Sequence, residues 1–571
     1  MIDELRRAGV GRGGLVAVTF APGIGMGLAT TSATATVRLS TGDDPVAGLR
    51  RVEEELRPRW VTWSGETALA LVRSGLRVAT CWDLAAVHRL LFGGWRAEPG
   101  RVWARLHDLP TDDLPTGGPV DLFTPPDGGD AVRPDGHLSG EWVGGGWAES
   151  LDHLAHWAEL ALTAATLQQA RLDERPRAAA TARAESTAEL LCAEMTIDGL
   201  PVDRSVAEAM LADIVGPRPR TDAEVAQGRA ERDARVLEHA PADAGRFDLR
   251  SPGQVKSLLR RVGIEVVDTR AWRLEAVRDE HPLVDALLAW RKAERVATTY
   301  GYTWLDEHLG ADSRLRGAWS GADGAAGRMT ASAGLHNLPA DMRGAVVAEP
   351  GHVFVRADLG QIEPRVLAAV SGDRALARAT SADDMYAPMA EHLGVDRATA
   401  KVAMLGAMYG QTTGHGAQVL RRLTSAYPVA MGYLADGDRS GQMGRDLRTY
   451  GGRLVGMGGG AGADGASEQE ARSRAAARGR YGRNALVQGA AAELFKVWAV
   501  TVRARGADLG AQIVLCLHDE LLLHVPVADG DAAARLLDDC LREAAGRWAP
   551  DDTVRFVADV SVISRWSDAK D

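Results

Sequence analysis

The spacing of hydrophobic positions changes several times along this chain. From residue 1 to about 172, short apolar runs (LVAVTF, WVTW, RVATCW) alternate with helical patterns such as DLAAVHRLL (83–91) and SLDHLAHWAELALTAATLQQARL (150–172), which predicts a small α/β domain. The stretch RLDERPRAAATARAES (171–186) is charged, Ala-rich and weakly periodic, the pattern of a linker or a solvated helix. From about 205 to 310 long helical patterns dominate, among them VKSLLRRVG (255–263) and HPLVDALLAWRKAERVATTYGYTWL (281–305), the second with Pro282 suited to a first helical turn. Residues 311–380 turn to loop and strand. Helices return from 383 to 505, broken by the flexible loop expected at VGMGGGAGADGAS (455–467), and residues 511–566 are β-rich. There is no internal repeat.

Two strand tips carry candidate chemistry. In VFVRADLGQIEPRVLAAVSG (353–372) a strand delivers Asp358, and a helix with apolar positions Ile362, Val366, Leu367 and Val370 follows at once. Such a carboxylate suits a metal–phosphate complex, although it would equally cap the helix. AQIVLCLHDELLLHVP (511–526) reads as two strands joined by a tight polar turn. Ile513, Leu515 and Leu517 alternate onto one face, as do Leu521, Leu523 and Val525 beyond the turn. His518, Asp519 and Glu520 between them are either a solvated turn or part of a site. If the two tips converge, they make a place for two hard, oxygen-liganded cations. The helical insertion between the segments fits one sheet built from both of its sides.

A third piece lies inside that insertion. In DRATAKVAMLGAMYGQTTG (396–414), Arg397, Lys401, Leu405 and Tyr409 recur every four residues. They drift by about 40° per step and so share an arc of roughly 120°. Two cations, an apolar side chain and a ring on one stripe can grip a triphosphate and cover a base; the alternative is a solvated face. In GRMTASAGLHNLPADMRG (327–344), Arg328, His336, Asn337 and Arg343 are candidate contacts to backbone phosphates or a minor groove, unless this is only a surface loop. EARSRAAARGRYGRNALVQGAAAELFKVW (470–498) reads as a basic helix, then an amphipathic one with Asn484 and Gln488. Beside nucleic acid it would be a phosphate track whose affinity falls with salt.

Composition narrows the picture. The 571 residues, 46% hydrophobic and 25% charged, suit a large enzyme of three or four domains. A net charge of −11 opposes coating by nucleic acid over the whole surface but leaves room for a local basic channel. Four scattered cysteines indicate neither a disulfide framework nor a zinc site and fit a reducing cytoplasm. The N-terminus does not read as a signal peptide, and no apolar run approaches the roughly 18 residues of a membrane span. P-loop, HExxH and GxSxG motifs are lacking.

Together these pieces resemble a family A DNA polymerase of the bacterial DNA polymerase I type. DLGQIEPR (358–365) is similar to motif A, the series Arg397, Lys401, Leu405, Tyr409 and Gly410 to motif B, and LHDE (517–520) to motif C. The flanking GR…LHNLP (327–339), YGGR (450–453), NALVQGAAAELFK (484–496) and SRWSDA (564–569) follow in the family's order. The resemblance covers about 187–571. It implies a multidomain α/β fold with a right-hand polymerase: thumb about 205–310, palm about 311–380 and 501–571, fingers about 381–500. Before it would stand an RNase H-like (DnaQ-like) α/β domain over 1–172 and a linker over 173–186.

The resemblance also implies roles. Asp358 and Asp519 would hold two Mg²⁺ ions, for which Mn²⁺ can substitute, with the Leu359 carbonyl as an added ligand and Glu520 in support. Arg397 and Lys401 would bind the triphosphate, Lys401 also protonating the leaving pyrophosphate, and Tyr409 would stack near the template base. Glu363 would be the steric gate against a ribose 2′-hydroxyl, with Gln361, Leu405 and His518 in the nucleotide site. Arg328, Gln488 and His518 would read the minor groove or primer terminus; Asn337, Arg343 and Asn484 would position DNA. Leu405 stands where the family usually has an aromatic residue, and Gly360 and Pro364 are atypical within motif A.

A DnaQ-like exonuclease needs a DxE and two further aspartates. Residues 1–172 show no such strand, and HWAELALTAATLQ (156–168) is similar to the last exonuclease motif with Leu162 and Ala164 in place of aspartates. The expectation is a domain that keeps the fold without the activity. The implied partners are primer-template DNA and dNTPs, for a monomer acting in repair or gap filling in a bacterial cytoplasm, at the nucleoid and away from membranes. Two other readings remain, a single-subunit RNA polymerase, which Glu363 opposes, and a DNA-binding scaffold with a silent site.

Overall fold

The computed structural model describes all residues except 1, 32–33, 39–45, 117–128, 242–246, 324–325, 411–415, 459–466, 552 and 570–571. Most of the loop expected at 455–467, and the end of the 396–414 segment, therefore lie outside the described residues. Two compact units emerge: Met1–Asp198 with Ala318–Ala331 and Gly351–Val562, and Gly199–Gly317 with Ser332–Pro350 and Ile563–Asp571.

The first unit begins with a five-stranded sheet of β1 (Leu15–Ala21), β2 (Gly25–Ala29), β3 (Thr34–Arg38), β4 (Arg59–Thr62) and β5 (Cys81–Asp83) in the order β3-β2-β1-β4-β5. The first three strands form an antiparallel meander, and β4 and β5 run parallel to β1. Asp83 ends β5 and caps the following helix α1 (Leu84–Phe92), accepting from the Ala86 amide. Helix α2 (Leu151–Leu172) is pressed onto the sheet. A Cβ on Gly27 would sit 2.2 Å from the Leu154 carbonyl carbon, the Thr19 hydroxyl donates to the Leu154 carbonyl at 2.6 Å, and Trp63 stacks on Trp157.

The next element corrects the reading of 173–186 as a linker. Residues 176–186 begin helix α3 (Pro176–Asp198), whose Glu185, Ser186 and Glu189 are at most 8% exposed. One face of it is solvated, with Arg177 and Arg183 exposed, while its acids turn inward: the Lys496 ammonium donates to Glu185 Oε2 at 2.6 Å, and Arg453 pairs with the same oxygen at 2.6 Å. Buried in this way, α3 welds the N-terminal sheet to the rest of the unit, so 1–172 is not a separate body.

The second sheet comprises β6 (His352–Leu359), β7 (Gln512–Cys516), β8 (Glu520–Pro526) and β9 (Ala558–Ile563), ordered β7-β8-β6-β9. It is built from both sides of a helical insertion, as expected. A bulge between Ile513 and Leu515 breaks the simple alternation expected for β7, and Ile513 through Cys516 are all buried. Helix α4 (Ile362–Ser371) follows β6; the insertion holds α5 (Arg397–Tyr409) and α6 (Pro428–Gln442). Where two helices were expected over 470–498, a single 39-residue helix α7 (Glu468–Gly506) runs, started by a capping box between Ser467 and Glu470. One window of it is long and apolar enough to cross a membrane, but 83% of that window is buried inside the fold, the signature of a core helix. Helix α8 (Gly530–Trp548) packs against β6 and α7.

The second unit is mostly helical, with Val236, Leu258, Leu259, Leu283 and Leu287 in its core. It takes in residues that the sequence assigned to the palm. Arg314 pairs with Glu349 at 2.8 Å, Val347 bridges Arg565, and Arg343 lies 4.3 Å over the Trp566 ring. The first contact ties 332–350 to 199–317, and the other two tie 563–571 to 332–350, all within this unit.

Candidate active site

The two aspartates meet because of strand register. β6 and β8 pair antiparallel with Asp358 opposite Glu520, and the Leu359 amide donates to the Asp519 carbonyl at 2.8 Å. Leu517 and Glu520 exchange backbone hydrogen bonds at 2.8 and 3.3 Å, closing the turn that presents His518 and Asp519. One open alternative falls away here, because the N-cap of α4 is Gln361, not Asp358; the 517–520 turn is mixed, with Glu520 only 4% exposed and His518 open to solvent.

Between β6 and α4 the chain turns sharply. Gln361 takes a left-handed φ of 51°, and a side chain at Gly360 would place its Cβ 2.9 Å from Val557 Cγ2. Arg365, fully buried, fixes this turn. Its guanidinium donates to the carbonyls of Gly360, Thr380, Ala382, Asp383 and Arg555, and burial lowers its pKa to about 10. The Gln361 amide oxygen accepts from the Met385 amide at 3.0 Å, so this side chain lines the cavity while serving as a strut.

The cavity beside the aspartates has a volume of about 330 Å³. Asp358, Leu359 and Asp519 form one wall, and Arg397, Lys401, Leu405 and Tyr409 form the other. The four-residue stripe thus faces inward as α5 buries Ala400, Met404, Ala407 and Met408 behind it. Arg397 is steered by Asp384 at 2.5 Å, and Lys401 is exposed at the rim. Glu363 sits between the walls: the Tyr409 hydroxyl donates to Oε2 at 2.6 Å, and Arg328 pairs with Oε1 at 3.1 Å. Burial, reinforced by that carboxylate, pushes the Tyr409 phenol up to about 12.

Charge in this cavity is incompletely balanced. Burial raises the Asp358 pKa to about 7, with the negative charge of Asp519 next in importance. Burial raises Asp519 too, followed by the charge of Glu520. Carboxylates that repel one another at the edge of an open cavity, beside a backbone carbonyl at Leu359, are a hard-oxygen donor set, and such a set fits divalent cations.

Gln488 on α7 hydrogen-bonds Tyr409, while Asn484, one turn earlier, has its Oδ1 buried without a partner. Asn337 and Arg343 belong to the second unit, where the Asn337 carbonyl accepts from Arg295 and Tyr300. The arginines expected as a phosphate track are partly structural: Arg478 donates to the Gly441 and Gln442 carbonyls, and Arg483 to that of Ala407. Sequence reasoning missed Arg365, Asp384 and Tyr386, and also Arg356, a buried arginine within contact of Asp358 and Glu520. Period two along VFVRAD places Arg356 on the face of Asp358, the one signal that pointed to it.

Residues 221–568 match the family model of DNA polymerase family A. The thermostable DNA polymerase I of Thermus aquaticus is 27% identical over 403 residues, which cover 64% of this chain and 44% of that protein. DNA polymerase I of Chloroflexus aurantiacus is 30% identical over 301 residues, 47% of this chain and 31% of that one. The chain thus spans less than half the length of these relatives. Among solved structures, the POL domain of Pol1 from M. smegmatis, in complex with DNA primer-template and dNTP, superposes with a TM-score of 0.69 at 20% identity, covering 100% of this chain and 98% of that one.

Proposed function

The chain belongs to DNA polymerase family A, and from that premise we propose that it performs template-directed DNA synthesis, joining dNTPs to a primer 3′-hydroxyl. The observation that carries this reading is the single cavity with Asp358 and Asp519 on one wall and Arg397, Lys401 and Tyr409 on the other. The primer oxygen attacks the α-phosphorus and pyrophosphate leaves. Arg397 and Lys401 hold the triphosphate, and Lys401 supplies the proton that the departing pyrophosphate takes up. Two divalent ions, Mg²⁺ with Mn²⁺ as substitute, would bind at Asp358 and Asp519 and there acidify the primer hydroxyl and offset the phosphate charge. Glu363, pinned by Tyr409 and Arg328, would be the group that excludes a ribose 2′-hydroxyl, a role that favours DNA over RNA synthesis.

Primer extension with dNTPs, then rNTPs, in Mg²⁺ and in Mn²⁺ tests this. Asp358→Ala and Asp519→Ala should each abolish extension while duplex binding persists, because phosphate contacts supply most of the affinity. Near-wild-type synthesis in either variant would refute the assignment.

The N-terminal sheet we read as a DnaQ-like fold without nuclease activity. Its strand order supports the fold. For inactivity the support is packing: Leu162 and Ala164 are buried where carboxylates would be needed, and α2 is in contact with β1 and β2. Degradation of a 3′ end that survives Asp519→Ala would overturn it.

A further inference from the structure

Arg356 lies two residues before Asp358 on β6, so both side chains leave the same face of the strand. Its guanidinium is forked between two acids: Nη2 donates to Asp358 Oδ2 at 3.0 Å, and Nε donates to Glu520 Oε1 at 2.9 Å. The Arg356 side chain is 7% exposed, that of Glu520 5%, and that of Asp358 34%. A third carboxylate, Asp559 on β9, adds its field from the neighbouring strand. The hydrogen bond from Arg356 engages Oδ2 of Asp358, and both Asp358 and Asp519 line the cavity.

This arrangement places a fixed positive charge, permanently protonated at physiological pH, in hydrogen-bond contact with one of the two carboxylates proposed to take divalent cations. Such a charge acts in two opposed ways. It fixes the rotamers of Asp358 and Glu520 before any cation arrives, and it repels that cation and competes for one oxygen of Asp358. At a buried guanidinium the second effect is poorly screened.

We propose that Arg356 is a resident counter-cation of the metal site, a positioning residue that orients Asp358 and holds down the site's affinity for divalent ions until the triphosphate brings further negative charge. The inference rests on the proposed cation site at Asp358 and Asp519. Under it, the free protein binds divalent cations weakly, and occupancy is coupled to nucleotide.

The test is direct cation binding, without DNA or nucleotide, on the full chain. Free Mn²⁺ is followed by electron paramagnetic resonance during titration, with folding checked by circular dichroism. Arg356→Gln should tighten Mn²⁺ binding about tenfold or more, and Arg356→Lys, which keeps the charge, should stay within a few-fold of wild type. A residue that only scaffolds the strand would loosen binding when replaced, so the direction of change separates the two roles. Because Arg356→Gln leaves Glu520 buried and unpaired, the same comparison is made in a neutral background: Arg356→Gln/Glu520→Gln should bind Mn²⁺ about tenfold more tightly than Glu520→Gln alone. Unchanged or weaker binding on removing the arginine in that background would overturn the role of Arg356. Binding that is indifferent to Asp519→Ala would instead sink the cation site itself, and the role of Arg356 with it.

Discussion

Two clusters of acids in the first unit hold negative charge in different surroundings. At the cavity, Asp358, Asp519, Glu520 and Glu363 share space with Arg356 and Arg328, and the wall opens onto about 330 Å³. Where α3 meets α7, Asp83, Glu185, Glu189 and Glu493 are each at most 8% exposed and are answered from within by Arg89, Arg453 and Lys496. Burial raises Asp83 and Glu493 to about 7, as it does Asp358 at the cavity, so the clusters differ in surroundings rather than in proton affinity. One cluster is closed within the fold; the other borders open volume. That contrast, more than the number of acids, separates a structural cluster from a cation site.

Removing an acid should therefore have opposite consequences in the two places. Asp519→Asn should lower extension by about a thousandfold or more, the several kcal/mol a bound cation supplies to a transition state. Its melting temperature at pH 8 should not fall, because the substitution relieves repulsion with Glu520. A fall of several degrees would erase the distinction.

Lys496→Met should do the reverse. It leaves Glu185 with Arg453 alone, at a cost of about 3 kcal/mol read as a lowered melting temperature. Per folded molecule, extension should change little, since Lys496 lies in the junction.

A smaller effect concerns pH. Glu493 accepts from the Thr449 hydroxyl and from the Gly451 amide at 2.8 Å, and its pKa stands at about 7 against an ordinary 4.5. A folded-state pKa above the unfolded one means the fold favours the protonated acid. The stability it contributes is complete below about pH 4.5 and is lost as pH rises through 7, up to about 3 kcal/mol. Glu493→Gln should accordingly flatten the decline in melting temperature between pH 5 and 8; an unaltered slope would place that proton elsewhere. Smallest of all, Arg472→Ala breaks only an exposed pair with Glu468 on α7 and should leave melting temperature unchanged within error.

The legibility of these regions in sequence differed for physical reasons. The stripe of Arg397, Lys401, Leu405 and Tyr409 was readable because a helix turns local spacing into a face, and the strand–turn–strand around Asp519 because a strand does the same with period two. The alternation failed at Val514, where a bulge, invisible in composition, shifts the register. Residues 173–186 misled because Ala-rich, charged sequence looks the same on a solvated helix and on one whose Glu185 meets Lys496 across 311 positions of chain. Arg356, Asp384 and Arg365 went unread for the same reason, since each is defined by a partner brought in by another element.

The sequence alone determined most of the local elements, the order of the motifs and the chemical types at the cavity, since those depend on residues a few positions apart. Tertiary structure decided that Asp358 faces Glu520, that Arg356 lies between them, and that 332–350 and 563–571 belong with the second unit. Strand register and buried ion pairs are non-local. They follow from which surfaces exclude water together, and no window along the chain contains that information.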